Sequence, residues 1–439
     1  MTLVGTTRRS HRLALGAVCL LAVVSDLSAR PSPPADPSPT GTGESASSVA
    51  AEAFQPERGG PKLRFLAGSR TLIPIQINNN HVWTRGSLGD SDSISILFDT
   101  GAYGDCIRAA RALALGLRTG HEHQALGAGG TVASATTEPL DLRLPGFELR
   151  GDRLNTLPLE EIGGQAGRDL DVIVGHPLFS RAVVAVDYQA GTMEIDTGKD
   201  WEYRGPGTIL PLTFDHHLPY VTARVTIPGH DPIEGRFVID TGSAAMLILS
   251  PEFIERHHVL ESIPKTVQAQ ARGVGGSSMN PVGRVDRIEL GGIAIDRPIT
   301  MFQSAGPGHI SAPGTLGNIG GGILRRFRVI FDYRRSRMIL EPNPRLAEPF
   351  EYDMSGLSLR AIGPDYQKLM IARVLEGSPA TEVGLKVGDE LESVDGHAAF
   401  EIGLDSLREM FRRNGEEHRL AVIRNGERIE ATLKTRRMI

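Results

Sequence analysis

Phe98-Asp99-Thr100-Gly101-Ala102 and Ile239-Asp240-Thr241-Gly242-Ser243 stand 141 residues apart in this chain. Each is preceded by an apolar run, Ile94-Ser95-Ile96-Leu97 in the first case and Phe237-Val238 in the second. An apolar strand that ends in Asp-Thr-Gly delivers a carboxylate to the floor of a cleft, and two such strands set two carboxylates face to face. A single Asp-Thr-Gly constrains little, because Asp and Gly gather in turns anyway. The constraint comes from the landmarks downstream of each copy. Ala125-Leu126-Gly127-Ala128-Gly129-Gly130 has its counterpart in Ala271-Arg272-Gly273-Val274-Gly275-Gly276, an offset of 146 from Gly129 to Gly275. Val172-Ile173-Val174-Gly175 is matched by Gly317-Asn318-Ile319-Gly320, where Asn318 interrupts the apolar run. Val183 to Tyr188 is matched by Val329 to Tyr333, an offset of 145 from Asp187 to Asp332. Four landmarks in one order at nearly one spacing imply a duplicated domain.

Each landmark has a physical reading. The two glycine-rich stretches predict β-hairpin tips, where missing side chains permit a mobile flap. The run before Gly175 predicts a buried strand behind the first Asp, with glycine allowing close backbone approach. Thr100 and Thr241 come directly after the acids, where a hydroxyl can bond across to the opposite loop. Ala102 faces Ser243 at the third position after each Asp. A hydroxyl at Ser243 can donate to an ionised acid and lower its pKa, which Ala102 cannot.

On these motifs the region from about Leu72 to Pro342 resembles the retropepsin and pepsin clan of aspartic proteases. The short flaps are retropepsin-like, and two copies in one chain are pepsin-like. The resemblance implies a mainly β fold, a bilobal duplicated β-barrel with lobes at residues 70–200 and 208–342. It implies Asp99 and Asp240 as the catalytic dyad, with Thr100, Gly101, Thr241, Gly242 and Ser243 in support. It implies flaps at Gly127, Ala128, Gly129, Gly130 and at Gly273, Val274, Gly275, Gly276. Two acids sharing one proton activate water without metal or cofactor. One chain then holds a whole active site, so a monomer is expected, acting on polypeptide substrates. The pattern departs from pepsin in one respect. Neither glycine-rich stretch carries a flap tyrosine, so the flaps must close through other contacts.

A different pattern begins near residue 350. Gly377-Ser378-Pro379-Ala380, Gly384-Leu385-Lys386-Val387-Gly388-Asp389 and Asp395-Gly396 occur in that order. Leu404, Leu407, Met410 and Phe411 recur at helical spacing, and Asn425-Gly426 between alternating runs predicts a hairpin turn. Residues 350–436 resemble an α+β PDZ domain of the bacterial, protease-associated type. That resemblance implies strand addition of a peptide along Gly356, Leu357, Ser358 and Leu359, with main-chain amides near Gly356 and Leu357 holding a C-terminal carboxylate. The short Pro342–Pro349 segment is expected to act as a simple tether, leaving bond breaking to the dyad.

The rest of the chain bounds these readings. Its 439 residues suffice for two or three domains. The formal net charge of −5, with no basic stripe, excludes the usual nucleic-acid footprint. Arg8, Arg9 and Arg12 precede an apolar Leu13–Val24 run, which is shorter than the ~20 residues a membrane span needs. Residues 1–29 therefore read as a signal peptide, with an uncleaved anchor as the alternative, and the expected location is periplasmic or secreted. Residues 30–60, rich in Pro, Ser, Ala and Thr, read as a disordered linker, with a propeptide as the alternative. Cys106 is then the one mature cysteine and reads as a small buried hydrophobe. The histidine pairs show no third ligand at zinc spacing and read as surface or loop residues. The competing functional reading is a catalytically lapsed, peptide-binding scaffold of the cell envelope.

Overall fold

The computed structural model describes residues 60–306 and 314–439. The expected signal peptide and nearly all of the expected linker lie outside the described residues. The described chain is mainly β, and its strands form four sheets.

The duplication is visible strand for strand. In the first lobe, Ile94–Phe98 pairs in parallel with Val172–Val174, which pairs antiparallel with Cys106–Arg108, which pairs in parallel with Asn155–Leu157. In the second, Ile233–Asp240 pairs in parallel with Thr315–Gly320, that strand antiparallel with Leu247–Leu249, and that one in parallel with Ile299–Phe302. All five residues of Ile94–Phe98 are buried, as expected of a strand covered on both faces. The first lobe also takes in Lys62–Phe65, which pairs with Phe147–Asp152.

A six-stranded sheet joins the lobes. At its centre Val183–Asp187 runs antiparallel to Phe327–Asp332, with Ala185 opposite Ile330. These two residues sit at the same 145-residue offset as Asp187 and Asp332, so the local twofold axis passes between them. Arg70–Pro74 and Thr208–Pro211 form the edges of this sheet. One apolar core runs through both lobes and includes Phe98, Phe179, Phe237 and Phe331.

The C-terminal unit is a separate sheet with its own core around Ile371, Leu407 and Phe411. Leu404 and Leu407 of helix Leu404–Met410 are buried, as their spacing predicts. Asn425 and Gly426 adopt φ of 52° and 83°, the left-handed pair that a two-residue hairpin turn requires. The connecting segment is held rather than loose. The Arg326 guanidinium donates to the carbonyls of Arg345 and Glu348 at 2.6 and 2.5 Å and lies 3.5 Å over the Phe350 ring.

Candidate active site

Asp99 and Asp240 end their strands at the junction of the lobes, and both are buried. The Asp99 amide donates to Val174 O at 2.9 Å, which ties the first acid to the strand behind it. Each carboxylate accepts the amide of the glycine two residues on. Gly101 N reaches Asp99 Oδ1 at 2.7 Å, and Gly242 N reaches Asp240 Oδ1 at 2.9 Å. The two carboxyls also hydrogen-bond one another. Gly242 is required by this approach, since a Cβ there would lie 2.1 Å from Asp99 Cγ.

The threonines interlock as expected. Thr100 N donates to Thr241 Oγ1, and Thr241 N to Thr100 Oγ1, each at 3.0 Å. Their hydroxyls donate onward across the junction, Thr100 to Ile239 O at 2.7 Å and Thr241 to Phe98 O at 2.9 Å. Four buried hydrogen bonds thus fix one acid relative to the other.

Burial pushes the Asp240 carboxyl up to about 6. Bonds from Asn318, from Asp99 and from the amides of Gly242 and Ser243 oppose that rise. At Ser243 it is the backbone amide that acts on Asp240, where sequence reasoning invoked the hydroxyl. Asn318 was missed altogether. It appeared as a flaw in an apolar run, yet its Nδ2 donates to Asp240 Oδ2 at 2.6 Å. His81 was missed too. Its Nε2 lies 3.0 Å from Gly242 O, and burial drives its imidazole down to about 4, so it is neutral at ordinary pH. Tyr333 is fully buried, and burial together with the charges of Asp99 and Asp240 raises its phenol well above the ordinary value.

The glycine-rich stretches form hairpins, Thr119–Gly127 with Gly130–Thr137 and Val267–Gly273 with Gly276–Arg284. Their tips touch each other, with Gly129 N donating to Val274 O at 2.8 Å. Side chains are excluded there, because a Cβ at Gly129 would lie 2.1 Å from Gly276 N and one at Gly275 2.2 Å from Gly130 O. Val274 is buried with Trp83, Leu97, Ile162 and Ile173 of the first lobe. Flap-to-flap backbone contact and a docked valine close the cleft in place of a tyrosine.

A cavity of about 770 Å³ extends from Asp240 and Asn318 past the second flap to Ser358–Gly363 of the C-terminal unit. The edge strand Leu357–Ile362 therefore walls the space beside the dyad, alongside helix Glu160–Ala166. Arg408 Nη2 donates to Gln165 O at 2.6 Å, and Asn79 N donates to Asp405 Oδ2 at 2.7 Å.

Residues 223–318 match the aspartyl protease family model, and residues 370–424 match that of the PDZ domain. The chain carries an aspartyl protease domain followed by a C-terminal PDZ domain. No curated protein matches it at a significant level. The protease match ends at Asn318 and lies wholly in the second lobe, and the paired topologies extend the architecture to the first.

The expected carboxylate cradle of the PDZ domain needs correction. The amides of Ser355 and Gly356 donate to Asp353 Oδ1 at 3.1 and 2.6 Å, and that of Leu357 donates to Ser355 Oγ at 3.0 Å. Asp353 is half-buried, and desolvation there raises its carboxyl to about 6. The donors assigned to a ligand's C-terminus are already used by side chains of the same loop.

Proposed function

We propose that the protein is an aspartic endopeptidase. The observation that carries this reading is a hydrogen-bonded pair of buried carboxyls, locked by the threonine bonds beneath two closed flaps. Two acids this close cannot both ionise readily, so they hold one proton between them. The ionised acid takes a proton from a bound water while the other donates to the scissile carbonyl, which gives a gem-diol. Collapse of the gem-diol passes a proton to the leaving amine and breaks the C–N bond. The burial-raised Asp240 carboxyl supports a mildly acidic to near-neutral working range. The lapsed-scaffold alternative gives no reason for the bonds at both acids.

The PDZ domain is assigned a share in substrate binding. Its edge strand borders the cavity at Asp240, which supports capture of an extended internal segment of a polypeptide more than of a free C-terminus. The signal-like N-terminal sequence supports action in the periplasm or outside the cell, and the presence of both acids in one chain supports a monomer. Cleavage of an unstructured protein such as casein by the full chain tests the reading. Asp99→Asn and Asp240→Asn should each abolish cleavage while leaving the circular-dichroism spectrum unchanged. Comparable turnover in either variant would refute the dyad.

A further inference from the structure

The two acids are related by the duplication, but their surroundings are not equivalent. Asn318 stands opposite Val238, two residues before Asp240. In the first lobe the same register position is Ile173, opposite Leu97, two residues before Asp99. An isoleucine offers no donor. Asn318 is buried, and its Nδ2 lies 2.6 Å from Asp240 Oδ2, a short bond of the kind a charged acceptor gives. Its Oδ1 is buried without a hydrogen-bond partner among the described residues, and the amide's hydrogen bond is the one to the carboxylate.

Resting on the protease reading above, we propose that Asn318 is a positioning residue that fixes the resting proton of the dyad on Asp99 and keeps Asp240 as the ionised base. An amide N–H can donate only to a lone pair, so this bond favours Asp240 unprotonated at Oδ2. A second lone pair on that oxygen remains for the lytic water. The proton balance then runs in one direction. Water gives one proton to Asp240 as its oxygen bonds the carbonyl carbon, and the Asp99 proton moves to the carbonyl oxygen. On collapse, Asp240 returns its proton to the amine nitrogen as the C–N bond breaks. One gem-diol hydroxyl reprotonates Asp99 as the new carbonyl forms, which restores the starting state.

The other titratable groups facing Asp240 do not supply this asymmetry. Tyr333 interacts with both acids, and His81 meets the Gly242 carbonyl as a neutral imidazole. Ser243 contributes an amide, and amides meet both carboxylates.

Asn318→Leu in the full chain tests the proposal. Loss of a bond to the ionised form raises the pKa for generating the base. The acidic limb of the kcat/KM profile should therefore move up by about one pH unit, a roughly tenfold loss of activity below the limb. Activity well above the limb should fall much less than activity below it. A purely structural role would lower activity equally at all pH values. A limb that stays still, or moves down, would overturn the proposal, the latter meaning that a protonated Asp240 donates to Asn318. A measurement independent of turnover is titration of the aspartate side-chain carbons by NMR, with Asp99→Asn and Asp240→Asn chains giving the assignment. In the wild type Asp240 should ionise before Asp99, and the reverse order would overturn the proposal whether or not Asn318→Leu folds. A wild-type chain that cleaves no peptide would refute the protease reading, and the titration would still decide the proton's place.

Discussion

Each threonine after an aspartate of the pair satisfies two buried backbone groups of the opposite lobe. Removal of the Thr100 hydroxyl leaves Ile239 O and Thr241 N without their partner. An unsatisfied buried group costs about 1–3 kcal/mol, so Thr100→Val should lose roughly 2–4 kcal/mol in chemical denaturation. Thr100→Ser keeps the hydroxyl and should lose far less, and equal losses would argue against the interlock. Sequence reasoning reached these threonines because each stands beside its acid in a repeated tripeptide. It did not reach Asn318, 78 residues beyond Asp240. A polar residue in an apolar strand is legible only once parallel pairing brings it beside the carboxylate. His217, read as a surface or loop residue, does lie in a turn and is half-buried there. It stacks edge-on against Tyr103 and His176, with ring centroids 4.6 and 4.5 Å away. Asp353 belongs here too, since a glycine-containing loop does not announce that its own side chains use its amides.

At the scale of elements, the strands leading to the acids and the two flaps were legible from apolar runs and paired glycines. The sheet joining the lobes was not, because its register depends on strands from both copies meeting across the axis. A second acidic pair was also hidden. Asp105 and Asp152 are buried together in the first lobe, and Asp105 Oδ1 accepts the Gly175 amide at 2.7 Å. In the second lobe the corresponding amide, Gly320 N, donates to the Met246 carbonyl instead. Asp105 thus braces the glycine that packs behind Asp99. Burial raises both carboxyls, and the neighbouring Asp152 raises Asp105 further. Folded-state values above the unfolded ones mean that the native chain binds protons the unfolded chain releases. This contribution is therefore fully present below the unfolded pKa of about 3.9 and is lost as pH rises through the folded values. Asp152→Asn keeps a hydrogen-bonding partner without the second charge. It should raise Tm at alkaline pH relative to wild type and flatten the decline in Tm as pH rises. An unchanged decline would show that the pair does not couple to stability.

At the scale of the whole molecule, the PDZ domain is built into the cleft rather than hung from a tether. Arg326 holds the connecting segment, the Asn79–His81 turn bonds both Asp405 and the carbonyls of Gly242 and Ala244 after Asp240, and the PDZ edge strand walls the cavity. A chain ending at Pro344 should therefore lose at least about tenfold in kcat/KM even on short peptides, with KM carrying much of the loss. Unchanged kinetics on short peptides would restore the simple tether. One chain, through its two lobes, brings both aspartates of the dyad together. The most direct test of this assembly is complementation between the two inactive chains, Asp99→Asn and Asp240→Asn, mixed or co-expressed at equal amounts. A site formed within each chain leaves the mixture as inactive as its parts, while wild-type turnover scales linearly with concentration. Recovery of peptide hydrolysis in the mixture would mean that the two aspartates meet across chains, and would contradict the account.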